Sequence, residues 1–473
     1  MPKPGPLFTF PSIGGVESPF YALRFDKFGA LISPETTQDL IEKLESGEFT
    51  DVIVCAHGWN NIWKTALENY RGFIDNLGVV HRRTGVKPKH PYRPLAIGIF
   101  WPSTSLVLPW EQPPRIAGGD PAERPALDAW EVEDQQTIAE LLPDEQLEEF
   151  YALTDAAELD AQEAERLAEL LLRISSADDE DLHDPHAATV ADLLAAWKAY
   201  EAPEAVAVAP GRGGVRVAAD EEADEEDDGE DAAAPAAPVA AGSFPSDPRQ
   251  LLRLTTVRVM KDRAGKVGAR GVGSVLRRAM TAAPQARFHL VGHSYGARLL
   301  LNAVSRPVDG PLPGSVRSLL LLQPAVNHLC FADALPGFEG TPPGGYHEAI
   351  AKVELPILTT VSVHDFPLRK VFHHALIRPK DIGEILIAGG DDPPPSIYAA
   401  LGGYGPRGIE PVAKVAKVEM MDPAAAPSPG DFYDLRRDGP EIIVLDGDDK
   451  IDDHGDVVTT ATAWALLNLI AQE

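Results

Sequence analysis

Apolar residues along this chain follow two rhythms. DVIVCAHGW (51–59), PLAIGIFWPS (94–103), ARFHLVGHS (286–294), VRSLLLLQPAV (316–326), ELPILTTVSVHD (354–365) and PEIIVLDG (440–447) are short, near-continuous apolar runs rich in β-branched residues. Runs that are apolar on both faces predict strands buried inside a parallel sheet. FYALRFDKFGALIS (20–33) predicts two short strands around an Asp-Lys-Phe-Gly turn. Between the runs, apolar positions recur every three to four residues. SPETTQDLIEKLESGEF predicts a helix with Ser33 as N-cap, Pro34 in its first turn, apolar Leu40, Ile41 and Leu44, and an end near Gly47. NNIWKTALENYRGFIDNLG places Ile62, Trp63, Ala66, Tyr70, Phe73 and Ile74 on one stripe. RGVGSVLRRAMTAAP, YGARLLLNAVSR and the closing GDVVTTATAWALLNLIAQ complete the helices. Strands alternating with helices imply an α/β fold with a mostly parallel sheet covered on both faces, because parallel neighbours need crossovers.

One long interval breaks the alternation. Residues 130–176 and 186–202 carry amphipathic patterns, with Leu141, Leu142, Leu147, Leu167, Leu170 and Leu171 among acidic neighbours, and predict three or four helices forming a cap. Residues 205–247 hold too little bulky apolar material to build a core and are expected to be a disordered acidic Ala/Pro-rich linker. The expected organisation is a core in two parts, 1–104 and 248–473, interrupted by a helical cap at 105–204 and the linker at 205–247. A chain of 473 residues, 44% hydrophobic, suffices for one α/β core of roughly 250–300 residues plus that insertion.

Charge sharpens the picture. The net charge is -30, and residues 128–231 hold 33 Asp and Glu against 5 Lys and Arg, leaving 39 acidic and 37 basic residues elsewhere. A nearly neutral core with one acidic insertion argues against nucleic acid as a partner, since phosphate binding needs basic residues that displace counterions. It also argues against unaided docking of the insertion onto an anionic membrane. Cys55 and Cys330 lie in or beside apolar runs and read as buried free thiols. The N-terminal MPKPGPLFTFPSIGG has no continuous apolar core of a signal segment, and no stretch reaches the ~18 apolar residues of a membrane span, so a cytoplasmic protein without a transmembrane segment is expected.

The chemistry centres on Gly-His-Ser-Tyr-Gly, residues 292–296, between an apolar run and a helical pattern. Gly-x-Ser-x-Gly at a strand-to-helix junction is a nucleophile elbow: the tight turn strains the serine backbone, and Gly292 and Gly296, either side of His293, Ser294 and Tyr295, permit the close approach. The helix N-terminus beside Ser294 favours developing negative charge. The plainer alternative makes Ser294 an ordinary N-cap.

These residues, with HGWNN at 57–61, resemble the α/β-hydrolase superfamily, especially bacterial serine esterases and lipases that carry a His-Gly-aromatic-Asn segment on the first inner strand. The resemblance spans about 50–104 and 267–473. It implies an α/β-hydrolase fold and a serine hydrolase cleaving carboxylic esters through an acyl-enzyme. His57, Gly58 and Asn60 would belong to the oxyanion segment, and the backbone N–H groups of Trp59 and Tyr295 would form the oxyanion hole. The superfamily order of serine, acid and histidine falls on Ser294, on Asp365 just past an apolar strand, and on His454 before the closing helix. His454 would act as general base and Asp365 would fix its tautomer. His364 stays open as a rival base, Asp446 or Asp453 as a rival acid, and a strand-ending turn with Trp59 as a core anchor as the rival reading of 57–59.

Other motifs are weaker. DGDDKIDDHGD (446–456) lacks the glycine and glutamate of a calcium loop, since Ile451 and Val457 stand at those positions. His373 and His374 have no zinc-site spacing, and GARGVG (268–273) lacks a preceding strand and reads as a helix entry. No cofactor or metal is expected. The expected partner is a small-molecule ester, with lipase, thioesterase or amidase chemistry on the same triad as the alternative. The insertion reads as a lid with Trp110, Trp130 and Trp197 lining a pocket, or as a decoration that recruits a protein partner to a hydrolase-fold scaffold.

Overall fold

The computed structural model describes residues 4–11, 13, 15, 17–59, 61–103, 135, 138–139, 141–156, 159–176, 190–191, 193–194, 248–333, 343–372, 399–409, 411, 414–436 and 438–472. Nine strands form one sheet: β1 (Phe8–Pro11), β2 (Glu17–Arg24), β3 (Asp51–Ala56), β4 (Pro94–Phe100), β5 (Arg287–His293), β6 (Ser318–Leu322), β7 (Ile357–Val361), β8 (Val415–Glu419) and β9 (Ile442–Asp446). Their order is β1-β2-β4-β3-β5-β6-β7-β9-β8. Only edge strand β1 runs antiparallel to its neighbour. The architecture is α/β with a mostly parallel sheet, as the alternation implies.

Strand alternation divides the core between the two faces. Val52 and Val54 pack on the face covered by α1 (Pro34–Glu45), α5 (Pro248–Lys266), α6 (Gly273–Ala282) and α7 (Tyr295–Ser305). Ile53 and Cys55 point the other way, against α2 (Trp63–Thr84) and α8 (Thr460–Ala471). Both cysteines are buried free thiols. A capping box between Thr459 and Thr462 starts α8, and Trp464 is fully buried within it.

Several expectations need correction. Ser33 stands at the N-cap of α1 without capping it; its hydroxyl accepts from Arg24 N–H at 3.0 Å, tying the helix start to β2. The second strand expected before α1 shrinks to one bridge, Phe25 with Leu31. Ile62 and Trp63 leave the buried stripe of α2, being 45% and 43% exposed, because the helix begins beyond the sheet edge there. Trp63 stacks one ring face on Phe100 with centroids 4.0 Å apart.

GARGVG is the middle of a helical run, not an entry: α5 passes through a π-helical turn at Val267–Val272 directly into α6. Its glycines serve close packing, since a Cβ on Gly268 would lie 2.1 Å from the Leu299 carbonyl oxygen and one on Gly271 would lie 2.5 Å from that of Gly29. The helix at 248–266 escapes sequence pattern because Arg258, Lys261 and Arg263 are buried within it.

The insertion contributes α3 (Asp144–Thr154) and α4 (Ala161–Ser176) among its described residues. Leu167, Leu170 and Leu171 of α4 and Phe150 of α3 are buried in the same apolar cluster as Leu252, Val257 and Met260 of α5, whereas Leu141 is 46% exposed. Tyr295 Oη donates to the Val257 carbonyl at 3.0 Å, so α5 connects the insertion to the helix that starts at the elbow. The predicted linker 205–247, Trp110, Trp130, Trp197, His373 and His374 lie outside the described residues. No helix among the described residues is long and apolar enough to cross a membrane.

Candidate active site

Ser294 links β5 to α7 with φ 55° and ψ -122°, a conformation costing a non-glycine residue about 1–3 kcal/mol. The turn is held from three sides. Ser294 N–H donates to the Leu322 carbonyl at 3.0 Å, and its own carbonyl accepts from Ala297 N–H at 3.1 Å and Ala325 N–H at 3.3 Å. A Cβ on Gly296 would fall 2.1 Å from the Ala56 carbonyl oxygen, and one on Gly292 would fall 2.7 Å from the Ala297 backbone. Glycine is therefore a steric requirement at both positions. The serine hydroxyl caps no helix; it faces His454 Nε2 at 2.9 Å.

His454 lies in the loop after β9, and its Nδ1 is 2.7 Å from Asp365 Oδ2. Asp365 follows β7 and is fully buried. A carboxylate only accepts, so Nδ1 carries the hydrogen and the lone pair of Nε2 faces the Ser294 hydroxyl. Asp365 Oδ1 accepts from Leu368 N–H at 2.9 Å, and Oδ2 also accepts from Gln323 Nε2 at 2.8 Å. The buried charge thus has three donors. The rival groups have other surroundings: His364 is exposed, Asp446 pairs with Lys417 at 2.6 Å, and Asp453 accepts from His454 backbone N–H at 2.7 Å.

His293, half-buried next to the serine, places Nε2 2.9 Å from the His454 carbonyl oxygen, with ring centroids 5.1 Å apart. Burial first, then the nearby His454, pushes its imidazole down to about 3. A neutral ring donates one hydrogen, which ties the His454 loop to the elbow.

The segment after β3 meets the serine closely. A Cβ on Gly58 would fall 2.7 Å from Ser294 Cβ, so only glycine lets this loop cross the elbow. His57 N–H donates to Tyr70 Oη at 2.8 Å, and its carbonyl accepts from Trp101 Nε1 at 3.1 Å. Its ring stacks on Trp101 and its Nδ1–H donates to the Gly58 carbonyl at 2.9 Å. Burial pushes His57 down to about 4, keeping it neutral. Asn61 Nδ2 donates to the Gly58 carbonyl at 3.3 Å and the Trp59 carbonyl at 2.9 Å. With the Gly58 carbonyl fixed, the Trp59 N–H of the same trans peptide points the opposite way. Asn60 lies outside the described residues; its neighbour Asn61 is the tether. The ring of Trp59 lies 6.3 Å from that of Tyr295, whose backbone N–H follows the serine.

Asn61 and Gln323 are the residues that sequence reasoning passed over. The second Asn of HGWNN was a visible signal for the first of them; Gln323 carried none. Exposed apolar side chains lie next in sequence to two of these segments: Ile62 and Trp63 after 57–61, and Val363 and Phe366 around Asp365, the last two 50% and 46% exposed. A cavity of about 630 Å³ opens elsewhere, at the amino edge, among residues 347–356, Lys414 and Glu441. Lys352 pairs with Glu348 and Lys414 with Glu441 across its lining, Glu354 with Arg317 and Arg436 with Asp434 beside it, and none of Ser294, Asp365 and His454 lines it. The Ser294, His454 and Asp365 cluster lies at the opposite, carboxyl edge of the sheet. Comparison with family models, curated proteins and solved structures returned no match to this chain.

Proposed function

We propose that the chain is a serine hydrolase of the α/β-hydrolase fold that cleaves carboxylic esters through an acyl-enzyme. The observation that carries this reading is the continuous hydrogen-bond chain Ser294–His454–Asp365, at 2.9 and 2.7 Å, above the carboxyl edge of one sheet. Its members come from the ends of β5, β9 and β7, and Ser294 stands on a strained strand-to-helix turn held by three backbone hydrogen bonds and the close approaches at Gly292 and Gly296.

In the reaction, Ser294 Oγ attacks the ester carbonyl carbon as His454 Nε2 takes the hydroxyl proton. Asp365 holds the Nδ1 hydrogen and stabilises the imidazolium that forms. The tetrahedral oxyanion sits between the Trp59 and Tyr295 backbone N–H groups, at the positive end of α7. His454 returns its proton to the departing alcohol, then activates the water that hydrolyses the acyl-enzyme.

The half-exposed Ile62, Trp63, Val363 and Phe366 favour apolar acyl or alcohol groups. The segment 446–456, with six Asp and one Lys beside His454, disfavours anionic esters. Fluorophosphonate labelling of the purified protein tests the reading: the wild type labels at Ser294, Ser294→Ala does not, and His454→Ala labels far more slowly. Robust labelling of Ser294→Ala defeats the assignment. A series of neutral esters against matched thioesters and amides then ranks the substrate classes.

A further inference from the structure

Resting on the hydrolase reading, we infer that Gln323 is a positioning residue of the triad, holding the Asp365 carboxylate through a backbone conformation kept for that purpose. Gln323 follows β6 and is fully buried. Its φ of 41° makes it, with Ser294, one of two non-glycine residues at positive φ among those described. A buried glutamine in that region is disfavoured unless its surroundings over-determine it.

They do so atom by atom. Gln323 N–H donates to Thr360 Oγ1 at 2.7 Å, and the same hydroxyl, 2.8 Å from Gln323 Oε1, donates its one hydrogen there. That assignment orients the amide: Nε2 must face Asp365 Oδ2 at 2.8 Å and the Gly402 carbonyl at 3.4 Å, both acceptors. Gly402 lets the turn approach, since a Cβ there would lie 2.7 Å from the Gln323 carbonyl carbon. Ser294 N–H bonds to Leu322 and Ala325 N–H to Ser294, so the strained residue is fixed between nucleophile and acid. Asp365 Oδ2 takes hydrogens from His454 and Gln323 together, which defines the direction in which it holds the imidazole.

The test compares kcat, KM and the pH dependence of kcat/KM for a neutral chromogenic ester in wild type, Gln323→Met and Gln323→Glu, with thermal melting as the folding control. Gln323→Met keeps the volume and removes the donor; kcat falls roughly ten- to a hundredfold with KM within about threefold. In Gln323→Glu, two buried carboxylates share one proton, so the glutamic acid still donates to Asp365 near neutrality. This variant retains activity there, then loses it along a new alkaline limb as the shared proton leaves. The other titratable or charged groups around the pair, His454, His293, His364 and Arg369, are the same in all three proteins. A purely structural role would lower activity without adding that limb. Unchanged kcat in a folded Gln323→Met, or a Gln323→Glu profile superimposable on wild type, overturns the inference. Should Gln323→Met not fold, the Gln323→Glu profile decides alone. Wild type that neither turns over esters nor labels at Ser294 sinks the hydrolase reading itself, a separate outcome.

Discussion

The imidazole of His293 donates from Nε2 to the backbone carbonyl of His454, 2.9 Å away, so the residue before Ser294 anchors the loop that bears His454. Replacing it with Phe keeps a ring of similar size and leaves that carbonyl without its donor. We expect His293→Phe to lower kcat about tenfold, the cost of one mispositioned group in the chain. Steady-state kinetics check this, with KM changing little. Burial holds His293 at about 3, below the ~6.5 of an unfolded histidine, so its contribution to stability is complete above ~6.5 and is lost as pH falls from there toward 3. Between those limits the melting temperature of His293→Phe should fall less steeply with pH than that of wild type. Parallel slopes would show that His293 is not buried neutral.

Gly58 and Gly296 separate catalysis from folding. The Cβ of Gly58→Ala would press on Ser294 Cβ at 2.7 Å, so the loop after β3 must shift away from the elbow to admit it. Displacing the Trp59 N–H is then expected to cost about a hundredfold in kcat, the scale of losing one oxyanion donor, with a small change in melting temperature. The Cβ of Gly296→Ala would meet the Ala56 carbonyl oxygen at 2.1 Å in the interior, where backbone cannot move. That variant should lose about 3 kcal/mol or more of stability, measured by denaturant unfolding. Similar destabilisation by both substitutions would contradict this division.

How much of this was legible beforehand depends on whether the cause is local. The strands at 51–56, 94–100 and 287–293 are continuous apolar runs, and the elbow is a five-residue pattern, so both could be read from neighbours in sequence. Resemblance and position singled out Asp365 and His454, and the fold brings both into one hydrogen-bond chain with Ser294. Gln323 was not, because a positive φ at a glutamine and a bond to Asp365, 42 residues away, leave no local pattern. The helix at 248–266 hid because pattern reads Arg258, Lys261 and Arg263 as solvent-facing, whereas contacts with distant backbone, such as Arg263 Nη1 to the Pro102 carbonyl at 2.9 Å, bury them. Ser33 occupies the N-cap position that the pattern implies, but a distant partner claims its hydroxyl, which serves β2 in place of α1.

At the amino edge, away from the triad, Asp51 and His289 form a fully buried pair, with Oδ1 3.3 Å from Nε2. His289 Nδ1 lies 2.8 Å from Ser318 Oγ, so a neutral ring accepting from the serine and donating to Asp51 satisfies both nitrogens. Burial lowers the histidine against the pull of Asp51. Burial raises Asp51, but the bonds from His289 and Thr50 outweigh it and hold the carboxyl below its usual range. Both groups therefore take up protons more readily when unfolded. Their stabilisation is present above ~6.5, the unfolded histidine value, and drains away as pH falls through that value and on below the unfolded carboxyl near 3.9. Asp51→Asn should cost about 1.5–3 kcal/mol at neutral pH, the scale of hydrogen bonds to a charged acceptor, and flatten the acid dependence of unfolding. kcat of the folded variant should match wild type, and a large kcat loss would mean the two edges are coupled.

The charge around His454 gives a prediction of a different kind. Segment 446–456 carries six Asp and one Lys, and Lys417 neutralises only Asp446 among them. A substrate bearing a carboxylate must approach Ser294 through that field, whereas a neutral ester feels none of it. Screening shortens the field from a reach of about 30 Å at 0.01 M salt to about 10 Å at 0.1 M. For an anionic ester, kcat/KM should therefore rise severalfold between those concentrations, chiefly through KM, while the matched neutral ester changes little. Replacing Asp448, Asp449 and Asp452 together with Asn should remove the salt dependence and leave the neutral ester's kcat unchanged. A salt response equal for both esters would show that the acidic loop does not face the approach to the serine.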